Sequence, residues 1–380
     1  MTGPAPLGVY VHWPYCARIC PYCDFNVVRA RAGEEPAALA RAIALDLEAQ
    51  AALTGPRTLT SIFFGGGTPS LMDPGWAAQI IEAARRLWTP APDLEVTLEA
   101  NPTDAEAAAF RAFAGAGVNR LSLGLQSLDD AALAFLGRNH DAVAGRRAAE
   151  TARAVFPRLS IDLIYARPGQ MPAAWADELA RALALGPEHV SPYQLTVEAG
   201  TAFDLAVRRG RWAPPDADTG AALFETTQAV LGNAGFEAYE VSNHARGADA
   251  RSRHNLIYWR GQDYLGCGPG AHGRITIGGV RQATYAEPKP ADYIRRVTRT
   301  GMSLKTRQPL SPREAAEERL LTGLRLADGV PLEALAELEI APQRIAELTA
   351  LGLLAPDPER LRATPAGRLV LDRLTAELAT

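Results

Sequence analysis

The sequence predicts an α/β fold with a parallel sheet, on three observations. Six β-rich runs recur through the first half of the chain, at 8–12, 61–64, 94–99, 120–125, 159–165 and 189–197. Ala- and Leu-rich segments with helical spacing separate them, among them 37–53, 74–87, 105–115 and 173–185. The region after residue 305 then abandons that rhythm. Strand–helix alternation implies right-handed crossovers between parallel strands, and either a doubly wound open sheet or a partial barrel satisfies it.

The remaining elements follow in order. A Pro- and Asp-rich break at 213–218 and a helix at 219–234 close the alternating region. Residues 239–290 read as irregular, rich in Gly, His and aromatics. The tail reads helix, helix, helix, short hairpin, helix. Ser311 followed by Glu314 predicts a capped helix start. Residues 353–363, with Pro356-Asp357-Pro358-Glu359 inside, predict a small β wing. The expected domains are therefore 1–238, 239–305 and 306–380, the last a winged-helix-like α+β module.

Composition excludes several classes. Hydrophobic residues are 47% and charged residues 22% of 380, as in a globular protein with a sizeable core. No apolar run approaches the ~20 residues of a membrane span, and residues 1–7 lack a basic start before an apolar stretch. A cytoplasmic location is the expectation. Net charge is −4. The tail carries nine Arg against twelve Asp plus Glu, so its winged-helix pattern does not predict nucleic-acid binding.

Three of the four cysteines, Cys16, Cys20 and Cys23, fall within eight residues, in a C-x3-C-x2-C loop after the first strand. Sparse, clustered cysteines argue for metal or redox chemistry, not a disulfide framework. Three thiolates on one loop can hold three irons of a [4Fe–4S] cubane and leave the fourth open. A structural zinc site would need a fourth ligand, from His12, Asp24 or a distant residue.

Strand ends carry further polar groups, and ligands of parallel α/β folds bind at the C-terminal ends of strands. The Gly65-Gly66-Gly67-Thr68 turn follows the second run, Glu99 ends the third, Gln126 follows the fourth, and Asp162 lies in the fifth. Each alone is a weak signal; with the cysteine loop they make five in successive units and predict one binding face.

The cysteine loop, with Tyr22 before its last cysteine, resembles the radical-SAM superfamily. Tyr10-Val11-His12-Trp13-Pro14, Gly65-Gly66-Gly67-Thr68-Pro69-Ser70, Glu99-Ala100-Asn101-Pro102, Gly124-Leu125-Gln126-Ser127, Leu136-Gly137-Arg138-Asn139-His140 and Ile161-Asp162-Leu163-Ile164-Tyr165 resemble its HemN/HemW family. That family contains oxygen-independent coproporphyrinogen III oxidase and a heme chaperone. One departure is Ala166-Arg167-Pro168-Gly169-Gln170, where the family pattern has Gly-Leu-Pro before Gly-Gln.

The resemblance implies a partial (β/α)6 barrel that carries a [4Fe–4S] cluster on Cys16, Cys20 and Cys23. It implies S-adenosylmethionine bound by Tyr10, Tyr22, Gly66, Gly67, Thr68, Glu99, Gln126, Arg138 and Asp162, with Thr196 a weaker candidate. It also implies a flavodoxin- or ferredoxin-like reductant.

Two functions compete within the family. One is oxidative decarboxylation of coproporphyrinogen III. The other is heme binding and delivery to an acceptor protein, in solution or at a membrane. Phe25 stands where the oxidase has a further cysteine, only fifteen residues precede Cys16, and His254-Asn255-Leu256-Ile257-Tyr258-Trp259 resembles the chaperone's H-N-x-x-Y-W motif. The motif implies His254 as heme ligand, with Tyr258 and Trp259 against the porphyrin. His244, His272 and Cys267 are lesser alternatives.

Overall fold

Twelve strands form one mixed sheet in the computed structural model, which describes residues 4–30 and 35–379. They are β1 (Pro6–Trp13), β2 (Thr58–Gly66), β3 (Thr89–Ala100), β4 (Arg120–Gln126), β5 (Arg158–Tyr165), β6 (His189–Gln194), β7 (Glu237–Glu240), β8 (Asn243–Ala245), β9 (Asp263–Cys267), β10 (His272–Ile277), β11 (Val280–Ala286) and β12 (Leu304–Pro309). Their order is β12-β11-β10-β9-β1-β2-β3-β4-β5-β6-β8-β7. Strands β1 to β6 pair in parallel one after another, as the alternation predicted. The two ends of the sheet do not pair with each other, so the barrel is partial.

Alternation along the strands separates an apolar outer face from a polar inner one. In β4, Leu121, Leu123 and Leu125 enter the main core beneath the helices. Arg120, Ser122, Gly124 and Gln126 point into the barrel. In β5, Leu159, Ile161 and Leu163 pack outward while Asp162 and Ile164 face in. Helices Glu35–Thr54, Pro74–Leu87, Ala142–Val155 and Pro172–Leu183 cover the outer face through residues such as Ile43, Ile80, Ala149 and Leu179.

Several expectations change. The sixth strand ends at Gln194, so residues 195–197 form a loop. The helix expected over 105–115 is two short helices, Asp104–Ala107 and Phe110–Gly115. Residues 239–290 are not irregular. At one edge β8 pairs antiparallel with β6, and β7 pairs antiparallel with β8. At the other edge β9 pairs parallel with β1, and β10 to β12 follow antiparallel. Gly268 makes this joint possible: its φ is +104°, and a Cβ there would lie 2.2 Å from the His12 carbonyl oxygen.

The tail has its own core, built from Leu320, Leu324, Val330, Leu335, Leu348, Leu354, Leu361 and Leu374. Helix Pro312–Gly323 starts in the expected capping box of Ser311 and Glu314. The wing closes where Leu354 bridges Ala363 antiparallel. The second expected helix is a 3-10 helix, Leu332–Leu338. Charged groups join this module to the barrel: Arg274 pairs with Glu318 at 2.5 Å, Arg325 with Glu240 at 3.0 Å, and Arg319 donates to the Trp259 carbonyl at 3.0 Å.

Candidate functional site

The inner face of the sheet surrounds a cavity of about 1090 Å³ that reaches from the cysteine loop to the C-terminal module. That is at the upper end of the range for small-molecule sites, about 300–1,000 Å³.

The cysteine loop is pinned at its base. Val28 N–H donates to the Pro14 carbonyl and Ala30 N–H to Cys16, both at 2.8 Å, so the chain returns beside its own start. Asn26 ties the far side of the loop to the sheet edge, donating to the carbonyls of Pro269 at 2.8 Å and Pro288 at 2.9 Å. His12 accepts no freedom either: Nε2 meets the Asn26 carbonyl at 2.8 Å and Nδ1 meets Tyr10 Oη at 2.9 Å. Cys16, Cys20 and Cys23 all line the cavity as free cysteines. Burial raises the pKa of the Cys16 thiol and pushes Cys23 up to about 11, so iron binding here displaces protons.

Arg138 organises the cluster end. Its Nη1 donates to Cys20 Sγ and to Tyr22 Oη, each at 3.3 Å, and its Nη2 to the Gly124 carbonyl at 3.1 Å and to Asn101 Oδ1. Asn101 in turn donates to Thr68 Oγ1 at 3.1 Å, and Thr68 to Cys16 Sγ at 3.7 Å. Glu106 fixes Asn101 from below, accepting its N–H at 2.8 Å together with the hydroxyls of Ser70 and Thr103. A guanidinium beside Cys20 also offsets negative charge gathered on the thiolates.

Gly66 ends β2 and Gly67 follows it. Gly66 has φ +108°, and its N–H donates to Glu99 Oε2 at 3.2 Å. A Cβ on Gly67 would lie 2.8 Å from the Pro14 and Trp13 backbone, so no side chain fits between this turn and the cysteine loop. Burial first, and the nearby Asp162 second, push the Glu99 carboxyl up to about 8. Asp162 accepts from Ser122 Oγ at 2.9 Å, and burial raises its pKa.

Of the expected cofactor residues, Tyr22, Gly66, Gly67, Thr68, Glu99, Gln126, Arg138, Asp162 and Thr196 are brought together on the cavity wall. Tyr10 and His254 are not. Tyr10 lies one layer below, its hydroxyl on His12. His254 is 1% exposed, on the helix Arg253–Trp259. Its Nδ1 meets Ser61 Oγ at 2.8 Å, its Nε2 meets Tyr258 Oη at 2.6 Å, and its ring stacks on Phe63. Both nitrogens are engaged behind the wall, and burial lowers its pKa to about 3. The rest of the motif reaches the wall: Asn255 lines the cavity, and Trp259 supports the Arg325 guanidinium 4.5 Å above its ring.

His244 and Cys267 are buried outside the cavity, and His272 is exposed at the start of β10. The sequence reading missed Arg120, Ser122, Tyr193, Arg325 and Arg368, all of which line the cavity. Polar residues at every second position of a parallel barrel strand, Arg120, Ser122, Gly124 and Gln126, were the available signal for the first two, because such strands are otherwise apolar on both faces.

Comparison with known proteins agrees with this geometry. Residues 10–182 match the Radical SAM superfamily and residues 310–370 the HemN C-terminal domain. The fold and site thus define a radical-SAM protein. Bovine radical S-adenosyl methionine domain-containing protein 1, mitochondrial, is 41% identical over 394 residues, covering 99% of this chain and 89% of that protein. Heme chaperone HemW of Mycobacterium tuberculosis is 37% identical, with 98% and 95% covered, and that of Escherichia coli 34%, with 97% of each. The chain therefore belongs to the radical-SAM family of HemW and its mitochondrial relatives. Coproporphyrinogen III oxidase (HemN) from Escherichia coli, a radical SAM enzyme of solved structure, superposes with a TM-score of 0.82 over 99% of this chain and 91% of its own. At 21% identity that likeness is one of fold.

Family membership implies a [4Fe–4S] cluster and S-adenosylmethionine, and the residues present fit both. Among the described residues no three His, Cys, Asp or Glu side chains gather as ligands of a single ion. A cubane asks for something else, one iron corner per thiolate. Beside the thiols, Gln126 Oε1 and Arg138 Nε are buried and unpartnered, donor and acceptor capacity suited to a polar cofactor.

Proposed function

We propose that the protein is a heme chaperone, which binds heme in the cavity and passes it to an acceptor protein. The observation that carries this reading is whole-length identity to the HemW chaperones, where the oxidase shares the fold alone. Phe25 supports it. This residue lines the cavity and is 61% exposed where the oxidase pattern places a further cysteine.

In this reading Cys16, Cys20 and Cys23 hold the cluster, and Arg138 holds Cys20 and Tyr22 in place. Gly66 and Gly67 present bare backbone to S-adenosylmethionine, and Glu99, Gln126, Asp162 and Thr196 receive its polar groups. The cluster, when reduced, supplies the electron that cleaves the sulfonium. An electron donor of flavodoxin or ferredoxin type belongs to the same reading, as does a cytoplasmic location. His254 acts as a positioning residue of the cavity wall. No described helix is long and apolar enough to cross a membrane, so delivery to a membrane-bound acceptor would proceed by docking.

The test is a pair of measurements on one anaerobic, cluster-reconstituted sample: heme titration, and coproporphyrinogen III turnover with S-adenosylmethionine and a reductant. Saturable heme binding without turnover is expected. Formation of protoporphyrinogen would overturn the reading in favour of the oxidase.

A further inference from the structure

The far end of the cavity is unlike a floor for S-adenosylmethionine. The C-terminal module forms it, and there Leu369 and Val370 are 41% and 43% exposed although apolar. Ile164, Leu195 and Phe224 continue this apolar wall back toward the barrel.

Arg325 is paired with Glu240 and donates to Ser242 Oγ at 3.2 Å. Glu240 is fully committed, since it also accepts the Ser242 N–H at 2.8 Å and the Asn243 amide at 2.5 Å. Arg373 pairs with Glu377. Asp216 caps the helix Ala217–Asn233, accepting the Thr219 N–H at 2.8 Å. Asp372 is exposed to solvent. Arg368 alone lines this end, half-buried, with no side-chain hydrogen bond or ion pair to any described residue. Burial lowers the pKa of its guanidinium, and only Glu240 opposes that. A partly desolvated guanidinium without a carboxylate costs free energy that an anionic ligand group would recover.

We propose that Arg368, with Arg325 beside it across Glu240, anchors a carboxylate of the cavity's ligand. A flat apolar ligand with carboxylates at one edge then lies along Leu369, Val370 and Phe224 with its opposite edge toward the cysteine loop. Guanidinium is suited to this role because its planar fork binds carboxylate by two parallel hydrogen bonds. This assignment rests on the tetrapyrrole reading and names the heme propionates as the groups held.

Ferric heme and its dimethyl ester, in which both propionates lose their charge, separate the two. The wild-type holoprotein should bind heme about tenfold more tightly than the ester, the scale of one charged hydrogen-bonded contact. Arg368→Met should lower heme affinity to that of the ester and leave ester binding unchanged, and Arg368→Lys should recover part of the loss. Heme binding unchanged in Arg368→Met, or equal loss for both ligands, would overturn the anchor and leave the heme reading standing. Failure of the wild type to bind either ligand would overturn the heme reading and the anchor with it. If Arg368→Met does not fold, the wild-type comparison decides alone: equal affinities reject the anchor.

Discussion

The two ends of the cavity are built on opposite principles. At the cysteine end the polar groups form a dense hydrogen-bond network: Arg138 reaches four partners, and Glu106 holds Asn101, Ser70 and Thr103 at once. Backbone packs on backbone there, with Gly67 beneath the Trp13–Pro14 peptide. At the C-terminal end apolar side chains are exposed, and the Arg368 guanidinium has no hydrogen-bond or ion-pair partner among the described residues. Preorganisation of the first kind suits a resident cofactor whose geometry must not drift. The second kind suits a ligand that arrives and leaves, because the protein stays intact without it.

The largest effect that could break this contrast concerns the thiols. Anaerobic reconstitution should load about four irons per chain, and Cys16→Ala, Cys20→Ala or Cys23→Ala should each abolish that loading. Phe25→Ala should leave iron content unchanged; two irons per chain, or zinc in their place, would end the cluster assignment.

Glu106 comes next. It is 4% exposed and holds three donors, so Glu106→Ala should cost about 3 kcal/mol in denaturant unfolding of the apo-protein. Glu106→Gln should recover much of this. A loss below about 1 kcal/mol would mean that the cysteine end is less rigidly supported than its hydrogen bonds imply.

A smaller effect is expected at Glu99, whose carboxyl is pushed up to about 8 by burial and then by Asp162. The folded chain keeps this proton after the unfolded chain has released it. Its contribution to stability therefore falls as pH rises from about 5 to about 8, by on the order of 1 kcal/mol once cavity water is allowed for. Glu99→Gln should melt above the wild type at pH 8.5 and close to it at pH 5. The reverse pH trend would show that the carboxylate is stabilised, not isolated, in the empty site.

The smallest effect tests the loop after β5. Ala166 is buried with φ +58°, a left-handed conformation that costs a non-glycine residue about 1 kcal/mol. Ala166→Gly relieves that strain but frees the unfolded chain, so a net gain of about 0.5 kcal/mol is expected from calorimetry. The neighbouring Arg167 explains how the loop holds without glycine: it pairs with buried Glu178 and donates to Ser127 Oγ at 2.6 Å.

The parallel strands and the cysteine loop were legible because their signals are local. A strand announces itself over six residues, and the cluster chemistry occupies eight. The strands after residue 239 were hidden because polar residues interrupt them, and because β9 is stabilised by pairing with β1, more than 250 residues earlier. His254 shows the limit most plainly. A histidine in an aromatic motif reads equally as iron ligand or wall support, and the deciding contact is with Ser61, 193 positions away. Arg368 carries no local pattern at all; only the folded wall sets it apart from the eight other arginines of the tail.

The junction between barrel and tail bears on how a cargo could leave. Arg274–Glu318 is a part-exposed contact that water and dissolved ions can replace when it parts, unlike the buried Glu240 carboxylate under Arg325 and the leucines inside each core. Apolar contact crosses the seam as well, at Val241, which packs against the tail's core, and at Trp259 under the Arg325 guanidinium. Ionic strength, or a charged protein surface pressed against the seam, would therefore act first on Arg274–Glu318, one of the contacts that hold the module carrying Leu369 and Val370.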